Sequence, residues 1–275
     1  MEKLRVFVPI DKFNDTVKEK LPKALYSYVD ARENLIDNNK DFEVDVKVIC
    51  PDTLFKEVDG FLTQNGFLDH IVEGNDTGCY DFCSQVNYGL SKYDGEWFSI
   101  LEFDDMYSKT WFNNFAKHLV AYSDVSVFLP VNMVYTEGKE NLWSFGNEGA
   151  LAASFSDEIG FVNFDALNAY SGFSITGGII STKDFKEVGG LKPSIKVAFT
   201  YELLLRLTKK KYKVYVIPKI GYTHVLGLSD SLTERYSKEL SPEDIRKWFE
   251  LAKKECKYKE DRNKDITKKS KTKLK

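Results

Sequence analysis

The chain has 275 residues, 43% hydrophobic and 14% aromatic, with four cysteines and a net charge of −3. That composition belongs to a globular protein with room for one large domain and a real core, and it excludes a disordered chain. No apolar run approaches the roughly 20 residues of a membrane-spanning helix.

Met1-Glu2-Lys3-Leu4-Arg5 leads straight into a strand without signal-peptide anatomy. Cys50, Cys79, Cys83 and Cys256 are scattered, and no second pair completes a zinc site. Reduced thiols and a cytoplasmic location are therefore expected. The charge is uneven: from Lys253 to Lys275 there are 11 Lys and Arg against 4 Asp and Glu, which leaves the first 252 residues near −10. An acidic body argues against broad nucleic-acid binding by the core, and the Lys-rich end reads as a solvated tail.

Leu4–Pro9 is a short β-run stopped by Pro9, and a helical pattern follows to about Leu35. Val44–Cys50 alternates as a strand and ends at Cys50-Pro51-Asp52. Thr53–Asn65 reads as a helix, Asp69–Glu73 as a brief strand and Asp81–Lys92 as a helix. Then comes the most informative stretch, Trp97–Tyr107. Its first half is a buried strand by composition, and it ends in Glu102, Asp104 and Asp105. Buried carboxylates need a cation or donors. In an extended chain Glu102 and Asp104 share a side while Phe103 faces the other, and two oxygen ligands so placed suit a divalent metal. The plainer alternative is a strand running into a helix cap.

In the second half, Trp111–Tyr122 reads as a helix and Val125–Val134 as a strand interrupted at Pro130. Residues 135–169 show no clear period. Phe173–Ser181 is a strand, Lys183–Val188 precedes a Gly189-Gly190-Leu191 turn, and a helix from about Thr200 to Lys210 leads into Lys213–Pro218. Ser241-Pro242-Glu243-Asp244 is a helix start for a segment running to about Glu260. Arg262–Lys275 has too little apolar surface to fold. Alternating strands and helices predict an α/β fold with a mostly parallel sheet, in which ligands gather beyond the carboxyl ends of the strands. Asp11, Asp52 and the Glu102–Asp105 acids all lie just past strand ends.

This order of features resembles the family 2 glycosyltransferases of the GT-A fold. The resemblance is carried by Val6-Phe7-Val8-Pro9, Val86-Asn87-Tyr88-Gly89-Leu90, Ile100-Leu101-Glu102-Phe103-Asp104-Asp105, Thr176–Ser181 with Glu187-Val188-Gly189-Gly190-Leu191, and Tyr201–Leu207 with the strand after it. It spans about residues 4–225. It implies a metal-dependent transferase using a nucleotide-diphosphate sugar, most often a uridine one, with Mn²⁺ or Mg²⁺ as cofactor and a glycan or other hydroxyl acceptor. By the same resemblance Asp104 would be the principal metal ligand, with Glu102 on ribose or a metal-bound water and His224 as a further ligand. Pro9, Asp11, Asp52, Asn87 and Phe103 would line the donor site, and Thr176, Gly177 and Gly178 the acceptor side. Each has a structural alternative: a hydrogen-bonded turn for His224, a helix cap for Asp52, helix packing for Asn87, a turn for Asp11 and a strand kink for Gly177-Gly178.

The pattern breaks where an inverting enzyme needs its base. The family's Glu-Asp falls on Phe199-Thr200, and threonine cannot accept the proton at neutral pH. Glu202 is the nearest carboxylate and the expected base if the helix begins later; Asp157 or Asp165 are alternatives, and so is lost turnover. Val86 replaces the arginine that precedes the asparagine of the family's helix. The expected organisation is a catalytic domain over residues 1–228, split near 107 into donor and acceptor halves. A helical extension over 229–261 and a disordered tail over 262–275 would follow. A nucleotide-sugar-binding protein without turnover, a transferase with a nucleic-acid acceptor, and a nucleotidyltransferase are the competing readings. The last ranks low because Pro9-Ile10-Asp11-Lys12-Phe13 lacks a glycine-rich triphosphate loop.

Overall fold

Apolar spacing decides which face each element buries, and in α1 (Asp15–Asn38) it is explicit. Val17, Leu21, Ala24, Leu25, Tyr28, Ala31 and Leu35 form one buried stripe at helical spacing, and the Asn14 side chain caps the start by accepting from Val17 N at 3.1 Å. The computed structural model describes residues 1–39, 41–67, 71–136, 143–153, 158–227 and 232–256. α1 joins β1 (Glu2–Pro9) to β2 (Phe42–Pro51); α2 (Phe55–Gln64), β3 (Val72–Asn75), α3 (Phe82–Ser91) and β4 (Trp97–Ile100) follow. After an acidic turn come β5 (Met106–Tyr107), α4 (Trp111–Ala121), β6 (Val125–Thr136), β7 (Trp143–Gly146), β8 (Phe161–Val162) and α5 (Phe164–Ala169). β9 (Ile179–Ser181), α6 (Thr182–Glu187), α7 (Phe199–Lys209), β10 (Lys213–Leu226) and α8 (Leu232–Glu239) complete the order, with a last helix, α9, over residues 242–256.

The strands form one sheet in the order β3-β2-β1-β4-β9-β6-β10-β5, with β7 added to β6 and β8 to β10. β1, β2, β3 and β4 are mutually parallel, and β6 is parallel to β10. Between them β9 runs antiparallel to both β4 and β6. The expected donor and acceptor halves thus share one continuous sheet. α1, α2 and α4 cover one face, where Leu21, Leu25, Trp111, Phe112 and Phe115 are buried. α3, α6, α7 and α9 cover the other, with Val86, Phe185, Leu204 and Ala252 in its core.

Several expectations change in detail. Pro130 does not interrupt β6; β10 shifts register between Ile217 and Ile220, opposite the residue that has no N–H to give. Phe173–Ser181 is a strand only over its last three residues, because Gly177 turns the chain at φ +71°. The unperiodic segment contains β7, a 3₁₀ turn at Glu148–Leu151, β8 and α5. Helix α8 falls inside the expected helical extension over 229–261, where no separate helix start is read for it. The strand expected from Asp69 begins at Val72, and the expected disordered tail and Asp157 lie outside the described residues. Among the described residues no helix is long and apolar enough to cross a membrane.

Candidate functional site

The acidic stretch is a turn, not an extended strand end. β4 stops at Ile100, and Asp105 N donates to Glu102 O at 3.1 Å, closing a turn over residues 102–105. A three-residue separation across that turn brings Glu102 and Asp105 together, whereas the alternation expected of a strand paired Glu102 with Asp104. β10 supplies the rest. Asp105 Oδ1 accepts from Val225 N at 2.8 Å, Asp105 Oδ2 lies 2.9 Å from His224 Nδ1, and Tyr222 Oη accepts from Glu102 N at 3.1 Å. One ligand atom each from Glu102, Asp105 and His224 lie within 4.8 Å of one another. The metal-capable set on this geometry is therefore Glu102–Asp105–His224, with the expected Asp104 beside it.

Charge crowding governs these groups. Burial, then the neighbouring Asp105 carboxylate, pushes Glu102 up to about 8. Asp104 is raised to about 7, again by burial first and Asp105 second. Burial favours neutral His224, but Asp105, Glu102 and Asp104 outweigh it and raise the imidazole to about 10. Two carboxylates and an imidazole converge here, and once their protons are lost they make a donor set that fits a hard or borderline divalent cation.

Glu102 also walls a cavity beyond the ends of β1 and β4, together with Pro9, Asp11, Gln85 and Phe103. Gln85 is fully buried; it donates to Ile10 O at 3.1 Å and accepts from Asn75 Nδ2 at 2.8 Å, fixing the chain just after β1. Asp11 pairs with Arg235 of α8 at 2.6 Å. Sequence reasoning missed Gln85, Asn75 and Arg235. Gln85 lies among the buried apolar positions of α3, a legible signal; Asn75 and Arg235 carried none.

Other expected site residues are committed elsewhere. Asn87 exchanges two hydrogen bonds with Leu191, donating to its carbonyl at 2.8 Å and accepting from its N–H at 2.9 Å, so it ties α3 to the Gly189-Gly190 turn and does not face the cavity. Glu202 is fully buried, its oxygens held by Arg206 Nε at 2.8 and 2.9 Å and by Lys192 Nζ at 2.5 Å. Arg206 in turn donates to Val188 O and Gly190 O. A carboxylate so occupied by cations positions a turn; it has no free lone pair for an acceptor proton, which corrects its expected role as base. Asp165 is exposed in the first turn of α5.

Asp52 is exposed, opens a 3₁₀ turn without capping it, and does not line the cavity. Thr176, Gly177 and Gly178 are buried. A Cβ on Gly177 would stand 2.3 Å from Tyr222 Cδ2, and one on Gly178 2.9 Å from Leu129 Cδ2, so protein packing by itself requires these glycines.

No protein-family model matches the sequence, and no curated protein does. Solved structures do. S. aureus TarS 1–349 in complex with UDP-GlcNAc aligns with a TM-score of 0.63 at 16% identity, covering 91% of this chain and 65% of that one. The same TarS segment in complex with UDP gives 0.55 at 15% identity, over 90% and 70%. A longer TarS chain gives 0.53 at 18%, over 90% and 42%. At such identities the likeness is one of fold: this is the α/β GT-A architecture of glycosyltransferases. The chain spans about two thirds (65%) of the length of the TarS segment.

Proposed function

We propose that this chain is a cytoplasmic, metal-dependent glycosyltransferase that moves a sugar from a nucleotide-diphosphate donor, a UDP-sugar, to a glycan or other hydroxyl acceptor with inversion. The observation that carries the reading is the junction of Glu102, Asp105 and His224, of which Glu102 also lines a cavity beyond the strand ends. The fold shared with TarS, which was solved with UDP-GlcNAc and with UDP, supports it.

In this reading Glu102, Asp105 and His224 hold a Mn²⁺ or Mg²⁺ ion, with Asp104 alongside. A divalent cation there would stabilise the charge that develops on the departing diphosphate. The chain's own residues do the placing. Val225 N and the His224 ring fix both oxygens of Asp105, so the carboxylate is preorganised rather than free to turn. Tyr222 Oη holds the backbone at Glu102. Pro9, Asp11 and Phe103 form the walls against which the nucleoside would lie.

Titration calorimetry with UDP, with and without Mn²⁺, on wild type and on Asp105→Ala tests this. Metal-dependent binding that the substitution abolishes is the expected result; a folded wild type that binds no UDP would overturn the reading. A second reading, a nucleotide-sugar-binding protein with little turnover, is favoured by one observation: Glu202 is locked in its ion pairs while Phe199-Thr200 offers no carboxylate. Hydrolysis of a UDP-sugar by the metal-loaded protein separates the two.

A further inference from the structure

The cavity that holds Glu102 is far too small for its proposed ligand. It offers about 30 Å³, room for only a few waters, while ligand sites run from about 300 Å³ upward. Immediately beside it lies a second cavity of about 330 Å³. Three residues line both: Asp11, Phe82 and Arg235. The Asp11–Arg235 ion pair, 2.6 Å long, therefore stands as a partition between them, and it is made by a helix, α8, that reaches over from beyond the last strand.

Arg235 is incompletely satisfied there. One of its terminal nitrogens serves Asp11, while its Nε is buried without a partner. The two side chains are 36% and 31% exposed, the setting in which an ion pair is weak and readily exchanged. The charged groups lining the two cavities are acidic at Asp11, Asp81, Glu102 and Glu239 and basic at Lys12, Lys196 and Arg235, and of these Arg235 alone is a guanidinium and lines both. A guanidinium matches phosphate oxygens through paired N–H donors better than it matches one carboxylate oxygen.

We propose that Arg235 is a donor-site residue that exchanges partners: in the donor-free state it rests on Asp11 and keeps the site divided, and on donor entry it passes to the diphosphate, merging the two cavities. This rests on the reading of the cavity as a nucleotide-diphosphate site. Asp11 is then the resting partner of Arg235 and competes with the diphosphate for its guanidinium.

The test compares UDP with uridine, which lacks the phosphates, by calorimetry in Mn²⁺ on wild type, Arg235→Gln, Asp11→Asn and the double substitution. Arg235→Gln is expected to weaken UDP about tenfold and to leave uridine unchanged or tighter. Asp11→Asn is expected to tighten UDP several-fold, and to give no gain once Arg235 is replaced. If Arg235→Gln leaves UDP unchanged, or weakens UDP and uridine alike, the exchange is wrong. If Asp11→Asn weakens UDP, Asp11 is itself a ligand contact and the competition is refuted. Failure of wild type to bind UDP at all would instead remove the functional reading beneath the proposal. Circular dichroism on each variant checks that it remains folded.

Discussion

His224 Nδ1 lies 2.9 Å from Asp105 Oδ2, across 119 residues of sequence, and this contact joins the two halves of the candidate site. It makes Asp105, not Asp104, the carboxylate on which the cluster depends. Asp105→Ala should reduce Mn²⁺-dependent UDP affinity about 10- to 100-fold, the usual effect of losing a group that ligates a metal or orients a ligand. Asp104→Ala should cost less. Calorimetry on the two variants side by side checks the order; a larger loss from Asp104→Ala would return the principal role to that residue.

The same cluster sets a pH dependence. Glu102, Asp104 and His224 all bind their protons more tightly folded than unfolded, with values raised to about 8, about 7 and about 10. The native state then holds more protons than the unfolded one, so stability falls as pH rises. Without metal, the contribution is full below the unfolded carboxylate range and is progressively lost from about pH 5 to pH 10 as these groups are forced to ionise. Mn²⁺ replaces those protons, so its stabilisation should grow with pH over the same window. Melting curves at pH 6 and pH 9, with and without Mn²⁺, measure both slopes. A metal-free melting point higher at pH 9 would contradict the assignment.

Glu202 should behave as a structural residue. Its carboxylate neutralises Arg206 and Lys192 in a buried site, and removing one member of such a group leaves uncompensated charge at a cost of about 3–5 kcal/mol. Glu202→Gln is expected to lower stability on that scale in urea unfolding. A fully stable variant with normal donor binding and no transfer would restore its role as the base.

Gly177→Ala is a further stability test. The residue sits at φ +71°, and a Cβ would meet the Tyr222 ring at 2.3 Å. The backbone term alone costs about 1 kcal/mol, and the displaced Tyr222 ring adds to it. Because Tyr222 supports Glu102, UDP affinity should fall together with the melting temperature. An unchanged melting temperature would show that the turn tolerates a side chain.

The sheet was legible because its signals are local. Val44–Cys50 alternates, α1 repeats its apolar residues at helical spacing, and Asp81 caps α3 by accepting from Ser84 N. The site was legible in its composition but not in its pairing. The acids of 102–105 announced themselves, yet whether Glu102 faces Asp104 or Asp105 depends on one backbone hydrogen bond that closes the turn. Asn87 supports the Gly189–Leu191 turn from 104 residues away, and no local period encodes such a contact. Glu202 differs, because its partners Arg206, at i+4, and Lys192, ten residues before it, are close in sequence. Arg235 was missed because α8 is short and polar, and its partner Asp11 lies 224 residues away in the chain.

The antiparallel pairing of β5 with β10, and of β9 with both β4 and β6, bears on how the molecule comes into being. Asp105 is made early, but the groups that hold it, His224 and Val225, lie on β10, the last of the described strands to be made. Until β10 is inserted beside β6, Asp105 lacks His224 and Val225, and a partly synthesised chain lacks the proposed metal-holding set. Binding competence thus arises late and in one step, on the closing of long-range contacts that form slowly compared with local helices. A chain stopped before residue 224 would keep the parallel strands β1 to β4 and the helices between them but would lack the chemistry.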